Sequence, residues 1–398
     1  MKLTQEQKHE ALELLIELVE TPSTYFNEAA IMELAQDRAQ KLGLPVSLHN
    51  YRFDPLDFDG LNLHGTIGPG SDGPLIYLGG HLDTVNITSG WTRDPLKGTR
   101  EGNRLYGTGV LDMKAGSAAV LIALGMFYRD HPDFKGRIIY HFASVEEGPY
   151  GLGTTFFLKD ILKEKPDFAI ITEPSAALGE IDEPAICLGA KGGYNYKVHL
   201  KGASAHAATP ELGISAADDG AKVVQALNRI QAKTHPVLGS GASCVIGFHS
   251  GGGAASVPGE AEVEVFRHVV PGESIDTVRQ EVEQAIKDLD LKSETTLRFR
   301  ASPAEGFDGG FPPYYTDQSN EYIQTLVRLM TEKNGAEPVM TVSNSIGDFN
   351  LVGGLRQIPT VLVGPLGDKI HQSDEYVELD TYYQLIELLY EFLVAELT

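Results

Sequence analysis

Three short apolar runs, each followed at once by acidic or histidine side chains, constrain the fold of this chain more than any other feature. Residues 75–78, 137–144 and 167–172 are rich in isoleucine, phenylalanine and tyrosine, as buried β-strands are. Residues 117–128 form a long run of small and apolar residues that predicts a helix between the first two. Alternating strands and helices predict a layered α/β fold, and such sheets bind ligands beyond the carboxyl ends of their strands.

The side chains that follow these runs are of the kinds that bind metal ions. His81 and Asp83 follow the first run, Glu146 and Glu147 the second, and Glu173 the third. Alone, a His-x-Asp motif is more often a core histidine beside a turn, and a Glu-Glu pair is usually a surface loop. Carboxylates gathered in one crevice repel one another, however, so several acids at neighbouring strand ends imply a bound cation.

A second pattern begins at residue 191, where apolar and polar residues alternate as in a half-buried strand. The predicted order of elements from there is β-α-β-β-α-β, which is the split βαβ arrangement. The α/β pattern then returns, with a buried strand at 359–365 ahead of His371. We therefore expect residues 1–190 and 303–398 to form one domain, and residues 191–302 to form a smaller inserted α+β domain.

Composition excludes some classes of partner. The chain has 32 Lys and Arg against 55 Asp and Glu, a net charge of −23, which would repel nucleic acid and anionic membranes. It has no run of eighteen apolar residues and no apolar core near its first residue, so we expect a cytoplasmic protein without a membrane span. Cys187 and Cys244 lie in apolar runs, which predicts buried free thiols and suits a reducing compartment.

Several short motifs occur in order along almost the whole chain. They are GHLDTV at 80–85, GVLDMKAG at 109–116, EEG at 146–148, TEP at 172–174, GASAH at 202–206, and Gly364-Pro365 ahead of His371. In this combination they resemble the family of acetylornithine deacetylase, succinyl-diaminopimelate desuccinylase and glutamate carboxypeptidase. The glycines of residues 107–109 lack the third glycine of a dinucleotide-binding motif, so that interpretation is excluded.

The resemblance implies a zinc-exopeptidase-like fold, a mixed twisted sheet flanked by helices, that holds two zinc ions; cobalt or manganese could replace zinc. Asp112 would bridge both ions. His81 and Glu173 would complete one site, and Glu147 and His371 the other. The family's chemistry is hydrolysis of an amide bond.

The resemblance also implies roles around the metals. Glu146 would be the general base, and Asp83 would orient His81. The inserted domain would be a lid through which two copies form a homodimer. His206 on that lid would reach the partner subunit's site and bind the oxyanion of the reaction, and Arg267 would bind a substrate carboxylate.

The expected substrate is an N-acyl amino acid or a small C-terminal peptide. Two alternatives remain open: an aminopeptidase or dipeptidase with the same metals, or an amino-acid-binding homologue that has lost catalysis. The complete ligand set together with Glu146 favours an enzyme. Glu173 favours an N-acyl amino acid or C-terminal peptide over an aminopeptidase substrate, because aminopeptidase relatives tend to have aspartate at that position. The chain departs from the family's pattern at 255–258, which lacks an asparagine, at Val265, and at Gly347. The resemblance finally implies a cis peptide bond between Asp112 and Met113.

Overall fold

The computed structural model describes residues 1–68, 70, 72–251, 253 and 255–398. The chain divides into two compact units, which we call unit 1 (Met1–Ala190 and Tyr315–Thr398) and unit 2 (Lys191–Tyr314). Unit 2 begins at the residue expected from the sequence but ends beyond residue 302. The reason is that Phe311 exchanges backbone hydrogen bonds with Gly193, which keeps the intervening segment with unit 2.

The helices are numbered in chain order. They are α1 Gln5–Glu20, α2 Ala29–Lys41, α3 Ala115–Asp130, α4 Leu152–Asp160, α5 Ser175–Leu178, α6 Ala216–Leu227, α7 Ile275–Lys287, α8 Glu321–Asn334 and α9 Leu379–Leu397. Helix α1 begins with a capping box, in which the side chains of Thr4 and Gln7 each accept a hydrogen bond from the other residue's backbone N–H.

The strands are numbered in the same way. They are β1 Ser47–Phe53, β2 Phe58–Ile67, β3 Leu75–His81, β4 Thr99–Glu101, β5 Arg104–Tyr106, β6 Arg137–Ala143, β7 Phe168–Ile171, β8 Ala185–Ala190, β9 Gly192–Lys201, β10 Thr234–His235, β11 Gly239–Ser240, β12 Ala242–Ser250, β13 Glu260–Val269, β14 Glu294–Phe299, β15 Tyr314–Tyr315, β16 Val339–Ser343, β17 Thr360–Leu362, β18 Gly367–Asp368 and β19 Tyr376–Glu378.

The central sheet of unit 1 is mixed, as predicted. Its strand order is β1-β2-β6-β3-β7-β17-β8-β15, and β16 pairs with β8. Strands β6, β3, β7 and β17 are parallel to one another, whereas β1, β2 and β6 are joined in antiparallel pairs. Because β3 and β7 lie next to each other and β6 flanks β3, the segments that follow these three strands emerge at the same edge of the sheet.

Helix α3 is the central helix of unit 1. It contacts α1, α9 and strand β3, and every residue from Ala115 to Phe127 is buried. The stretch Val110–Asp130 is long and apolar enough to cross a membrane by composition, but its most apolar window is wholly buried inside the protein. Such burial is typical of a core helix.

Unit 2 contains a four-stranded sheet in the order β12-β13-β9-β14, with antiparallel pairs throughout. Helices α6 and α7 contribute Val223 and Val278 to a core with Val198, Val263 and Val265 of the sheet. This topology is the predicted split βαβ arrangement. Strands β12 and β14 form the two edges of this sheet.

The two cysteines differ in exposure. Cys187 in β8 is buried, as predicted, but Cys244 in β12 is exposed, so that part of the prediction is wrong. Cys244 is paired with Phe266, on the sheet face opposite to Val265 and the helices. An apolar neighbourhood in the sequence does not reveal which face of an edge strand lacks a covering layer.

Candidate metal centre

The segments after β3, β6 and β7 bring the predicted side chains together. His81 is the last residue of β3 and pairs with Ala143, the last residue of β6. Glu146 and Glu147 follow β6, and Glu173 follows β7. Nε2 of His81 lies 3.4 Å from Oε1 of Glu173 and 4.0 Å from Oε2 of Glu146. The carboxyl edge of the sheet is therefore the place where these groups meet, as the sequence predicted.

Asp112 lies between two histidines. Its Oδ1 is 3.2 Å from Nε2 of His81, and its Oδ2 is 3.3 Å from Nε2 of His371. Asp112 belongs to the irregular segment that precedes α3, and the peptide bond joining it to Met113 is cis, which confirms that expectation. The two oxygens of one carboxylate thus face two separate imidazoles.

Each imidazole also faces a second carboxylate. Glu173 accompanies His81, and Oε1 of Glu147 lies 2.8 Å from Nε2 of His371. Two donor atoms on one tetrahedral zinc ion lie roughly 3.3 to 3.6 Å apart, given bond lengths of roughly 2.0 to 2.2 Å. The separations of 3.2 to 3.4 Å among His81, Asp112, Glu173 and His371 are close to this range. The 2.8 Å between Glu147 and His371 is a hydrogen-bond distance that a metal ion would have to widen. Because these nitrogen and carboxylate donors are of the types that bind zinc, the donor set fits divalent metal ions.

The burial of the cluster also favours cations. Ligand atoms of His81, Asp112 and Glu147 all lie within 4.8 Å of one another. Burial, together with the nearby Asp112 carboxylate, raises the pKa of Glu147 to about 7 and that of Glu173 to about 8. Burial lowers the pKa of His81, but its hydrogen bonds to Asp112 and Glu173 outweigh this and raise it well above the usual range. Carboxylates that compete for protons in this way are stabilised by a bound cation.

Asp83 holds two parts of the site in place. Its backbone carbonyl lies 3.0 Å from Nδ1 of His81, whereas its Oδ1 is 3.6 Å away. Its carboxylate accepts hydrogen bonds from the backbone N–H groups of Glu146 and Glu147, at 3.1 and 2.9 Å. The main chain of Asp83 therefore orients His81, and its side chain fixes the loop after β6. A metal-bound histidine commonly has such a partner on its other ring nitrogen.

Asp348 is a buried neighbour to which the sequence analysis assigned no role. Its backbone N–H donates to Oε1 of Glu146 at 3.0 Å, and its Oδ2 accepts a hydrogen bond from Thr154 at 2.6 Å. Its Oδ1 has no hydrogen-bond partner within the described part of the chain. Ligand atoms of Asp348, Glu146 and Glu173 lie within 4.8 Å of one another. In the sequence Asp348 directly follows Gly347, one of the positions at which the chain departs from the family's pattern.

Two further buried carboxylates hold loops of the site, and sequence reasoning missed both. Glu375 accepts backbone hydrogen bonds from the segment that carries Asp112. Glu28 accepts them from Phe26 and Val145, at 2.9 and 3.1 Å. Burial raises the pKa of each to about 8, with a further contribution from Asp112 for Glu375 and from Asp83 for Glu28.

The two predicted site residues of unit 2 occupy different environments. His206 is exposed, and its Nδ1 accepts a hydrogen bond from the N–H of Ala208 at 3.0 Å. Arg267 is 1% exposed, and its guanidinium contacts Glu273 at 2.6 Å and Glu281 at 3.3 Å. A substrate carboxylate could bind Arg267 only if these ion pairs opened. The predicted roles of both residues stay predictions.

The sequence has many relatives. A succinyl-diaminopimelate desuccinylase of Thioalkalivibrio sulfidiphilus (strain HL-EbGR7) is 27% identical over 383 residues, which are 93% of this chain and 94% of that protein. One from Polynucleobacter necessarius subsp. necessarius (strain STIR1) is 28% identical over 319 residues, or 78% and 79% of the two chains.

Solved structures share the fold. Aminopeptidase PepT from Bacillus cereus ATCC 10987 has a TM-score of 0.76 at 19% identity and covers 97% of each chain. The M20 family metallo-carboxypeptidase Sso-CP2 from Sulfolobus solfataricus has a TM-score of 0.74 at 19% identity, over 96% of this chain and 98% of that one. The dinuclear metal binding peptidase YXEP of Bacillus subtilis has a TM-score of 0.71 at 14% identity, over 98% and 99%.

Residues 77–395 match the model of peptidase family M20/M25/M40. The match includes the motifs that carry the proposed metal ligands on both sides of unit 2, and it confirms the resemblance found in the sequence. Because it spans most of the chain, this protein belongs to the peptidase family M20/M25/M40 and is a hydrolytic metalloenzyme.

Proposed function

We propose that this protein is a dinuclear zinc hydrolase that cleaves the amide bond of an N-acyl amino acid, with N-succinyl amino acids as the first substrates to test. The observation that supports this most is the position of Asp112, whose two oxygens face His81 and His371 at 3.2 and 3.3 Å. Relatives named succinyl-diaminopimelate desuccinylase at 25 to 28% identity support the choice of acyl group.

In this proposal Asp112 would be a ligand of both metal ions. His81 and Glu173 would hold one, and Glu147 and His371 the other. Zinc suits these nitrogen and carboxylate donors, and cobalt or manganese could take its place. Two such ions would activate a water molecule and polarise the scissile carbonyl group.

The protein's own groups would move the proton. Glu146 lies beside the proposed ligands, and its Oε1 is held by the backbone N–H of Asp348. It would take a proton from the attacking water and deliver it to the leaving nitrogen, as a general base and then a general acid do. Asp83 would hold His81 and the loop of Glu146 in position through its backbone carbonyl and its carboxylate.

Unit 2 would serve as the lid and as the surface that joins two copies. We propose a homodimer in which His206 acts in the partner subunit's site. Arg267 keeps its proposed role as the group that binds a substrate carboxylate, although its ion pair with Glu273 would have to open first. A cytoplasmic location remains part of the proposal.

The test is metal analysis of the purified protein followed by a substrate screen. We expect two metal ions per chain and release of free amine from N-succinyl or N-acetyl amino acids. Dipeptides and tripeptides are the matched alternative substrates, because solved structures named aminopeptidase PepT and dipeptidase share the fold. Turnover of peptides alone would favour the peptidase alternative. Two bound metals without any turnover would favour the binding protein.

A further inference from the structure

The carboxylate of Glu375 binds the main chain of the segment that carries Asp112. Its Oε1 accepts hydrogen bonds from the N–H groups of Leu111 and Asp112, at 2.8 and 3.0 Å. Its Oε2 accepts one from Gly109 at 2.9 Å. Glu375 is only 3% exposed, so these hydrogen bonds are shielded from water, and they become charge-assisted and about twice as strong when the carboxyl group is ionised.

The same segment is fixed at its other end by Lys114. Nζ of this buried lysine donates to the backbone carbonyl of Leu18 at 2.8 Å and to that of Thr21 at 3.2 Å. Both carbonyls lie at the carboxyl end of α1, where a cation is favourable. The segment that carries Asp112 is therefore held at both ends. The carboxylate of Glu375 binds its first part, and the ammonium group of Lys114 holds its last residue against α1.

The segment has an unusual backbone that needs such anchors. Gly109 has a φ of 69°, and a Cβ added there would lie 2.3 Å from Cγ2 of Thr84. The dihedral angles of Asp112 and Met113 are not helical, although α3 begins directly after them. The N–H groups of Lys114 and Ala115 bond across this stretch to the carbonyls of Gly109 and Val110. The N–H groups of Gly109, Leu111 and Asp112 are bound by Glu375 instead.

Glu375 also lies on the loop that carries His371. Its backbone carbonyl accepts a hydrogen bond from the N–H of Gly107 at 3.1 Å. One residue thus ties the loop of His371 to the loop of Asp112 through both its main chain and its side chain. The distance between Asp112 and His371 depends on how these two loops are joined.

We propose that Glu375 is a positioning residue that sets the orientation of Asp112 toward both metal ions and fixes the spacing of Asp112 and His371. This inference rests on the proposed dinuclear metal centre. Groups that orient metal ligands usually contribute about tenfold to hundredfold to metal affinity. We therefore expect substitution of Glu375 to weaken zinc binding strongly while the protein still folds.

The test compares E375Q and E375A with the wild-type protein by zinc titration against a competing chelating dye. In E375Q the amide oxygen can still accept from Leu111 and Asp112, but the amide nitrogen then faces the N–H of Gly109. In E375A all three N–H groups lose their partner. We expect zinc to dissociate about tenfold or more readily from E375Q, and more readily still from E375A.

The matched control is E387Q. Glu387 is also buried, accepts a backbone hydrogen bond from Leu3 at 2.8 Å and pairs with Lys333 at 3.3 Å, but it contacts none of the proposed ligands. We expect E387Q to lower the melting temperature of the metal-free protein without changing zinc affinity. At saturating zinc, E375Q should lower kcat while KM stays within about twofold.

Each result has one meaning. Wild-type zinc affinity in E375Q, with a loss of melting temperature like that of E387Q, would overturn the positioning role and leave the metal centre intact. A wild-type protein that does not bind two zinc ions would overturn the proposed function itself. If E375A fails to fold, the titration of E375Q decides alone.

Discussion

Glu146 and Glu147 are adjacent in the sequence but meet different partners. Oε1 of Glu147 lies 2.8 Å from Nε2 of His371, whereas Oε1 of Glu146 accepts a hydrogen bond from the backbone of Asp348. We predict that E146Q keeps both metal ions and loses about 10² to 10⁴ in kcat, which is the usual contribution of a general base. Steady-state kinetics and metal analysis of the same sample measure the two effects.

E147Q is the control for this prediction. Removing a proposed ligand should lower the metal content, whereas removing the base should not. The assignment of Glu146 would be wrong if E146Q turned over substrate at close to the wild-type rate, or if it lost metal to the same extent as E147Q.

At the scale of single residues, the sequence predicted the side chains that follow apolar runs or stand in motifs. His81, Glu147 and Glu173 lie at strand ends, where chain direction alone brings them together. Glu375 and Glu28 could not be predicted, because the site loops that they hold, at Leu111 and at Val145, are remote from them in sequence.

The burial of Arg267 could have been predicted from the alternation of side chains along its strand. Arg267 lies an even number of residues from Val263, Val265 and Val269 in β13, so all four side chains lie on the same face of the sheet. This face packs against the helices of unit 2. Alternation alone predicts that Arg267 points into that core. Its ion pair with Glu273 compensates for burying the charge.

Helix α3 approaches the segment after β7 so closely that one position accepts only glycine. A Cβ on Gly116 would lie 2.0 Å from the carbonyl oxygen of Thr172, the residue before Glu173. Backbone cannot yield as a flexible side chain can, so we predict that G116A lowers the free energy of unfolding by about 1–3 kcal/mol or more. Urea denaturation measures this loss.

Gly125 of the same helix provides the control. A Cβ there would lie 3.0 Å from Cβ of Leu42, a contact that a small movement of the helix or of Leu42 relieves. Alanine also favours a helix over glycine by about 0.5–1 kcal/mol, so G125A should stay within about 1 kcal/mol of wild type. Equal losses in the two variants would mean that the contact with Thr172 is not what excludes a side chain at Gly116.

Strand β6 carries a buried histidine that makes stability depend on pH. His141 stacks on Phe157 with ring centroids 3.9 Å apart, and its Nδ1 lies 2.9 Å from the hydroxyl of Tyr77. Burial lowers its pKa well below the usual range, and His64 and His49 lower it further. As the pH falls below about 6.5, His141 becomes protonated in the unfolded chain but stays neutral in the folded protein. The free energy of unfolding therefore decreases as the pH falls.

We predict that H141F reduces this dependence. The contribution of His141 to the free energy of unfolding decreases by up to about 1.4 kcal/mol for each pH unit below its unfolded pKa. Between pH 7.5 and 5.5, the urea midpoint of the wild-type protein should therefore fall more steeply than that of H141F. Both proteins are compared without metal, and H9Q serves as the control because the side chain of His9 is 72% exposed. Parallel pH profiles for wild type and H141F would contradict the prediction.

At the scale of elements, the sequence predicted the layers of unit 1 and the element order of unit 2, because apolar periodicity records burial directly. It missed the end of unit 2, since the pairing of Gly193 with Phe311 is an isolated long-range contact. It also missed the exposure of Cys244, because edge strands are defined by topology and not by their own composition.

Considered as a whole molecule, the chain has one sheet edge that suits pairing with a second copy. Among the residues that the structure describes, strand β12 is hydrogen-bonded to a neighbouring strand of unit 2 on one side only. Its Ile246 and Phe248 are 53% and 44% exposed, whereas the other edge strand carries Glu294 and Arg298. Unpaired backbone beside exposed apolar side chains is a natural pairing surface, and it supports the proposed homodimer.

If the homodimer completes each site with His206 of the other copy, two inactive variants should rescue each other. H206A and E146Q are each expected to be inactive, for different reasons. In a mixed dimer, the site with intact Glu146 receives wild-type His206 from its partner, so it should regain activity, up to half the wild-type rate per dimer. The other site receives both defects. Subunits are mixed under conditions that allow exchange, and amine release is measured against each variant alone. Exchange is followed with a tag on one variant. Mixed dimers that stay as inactive as their parents would show that His206 does not act across the interface.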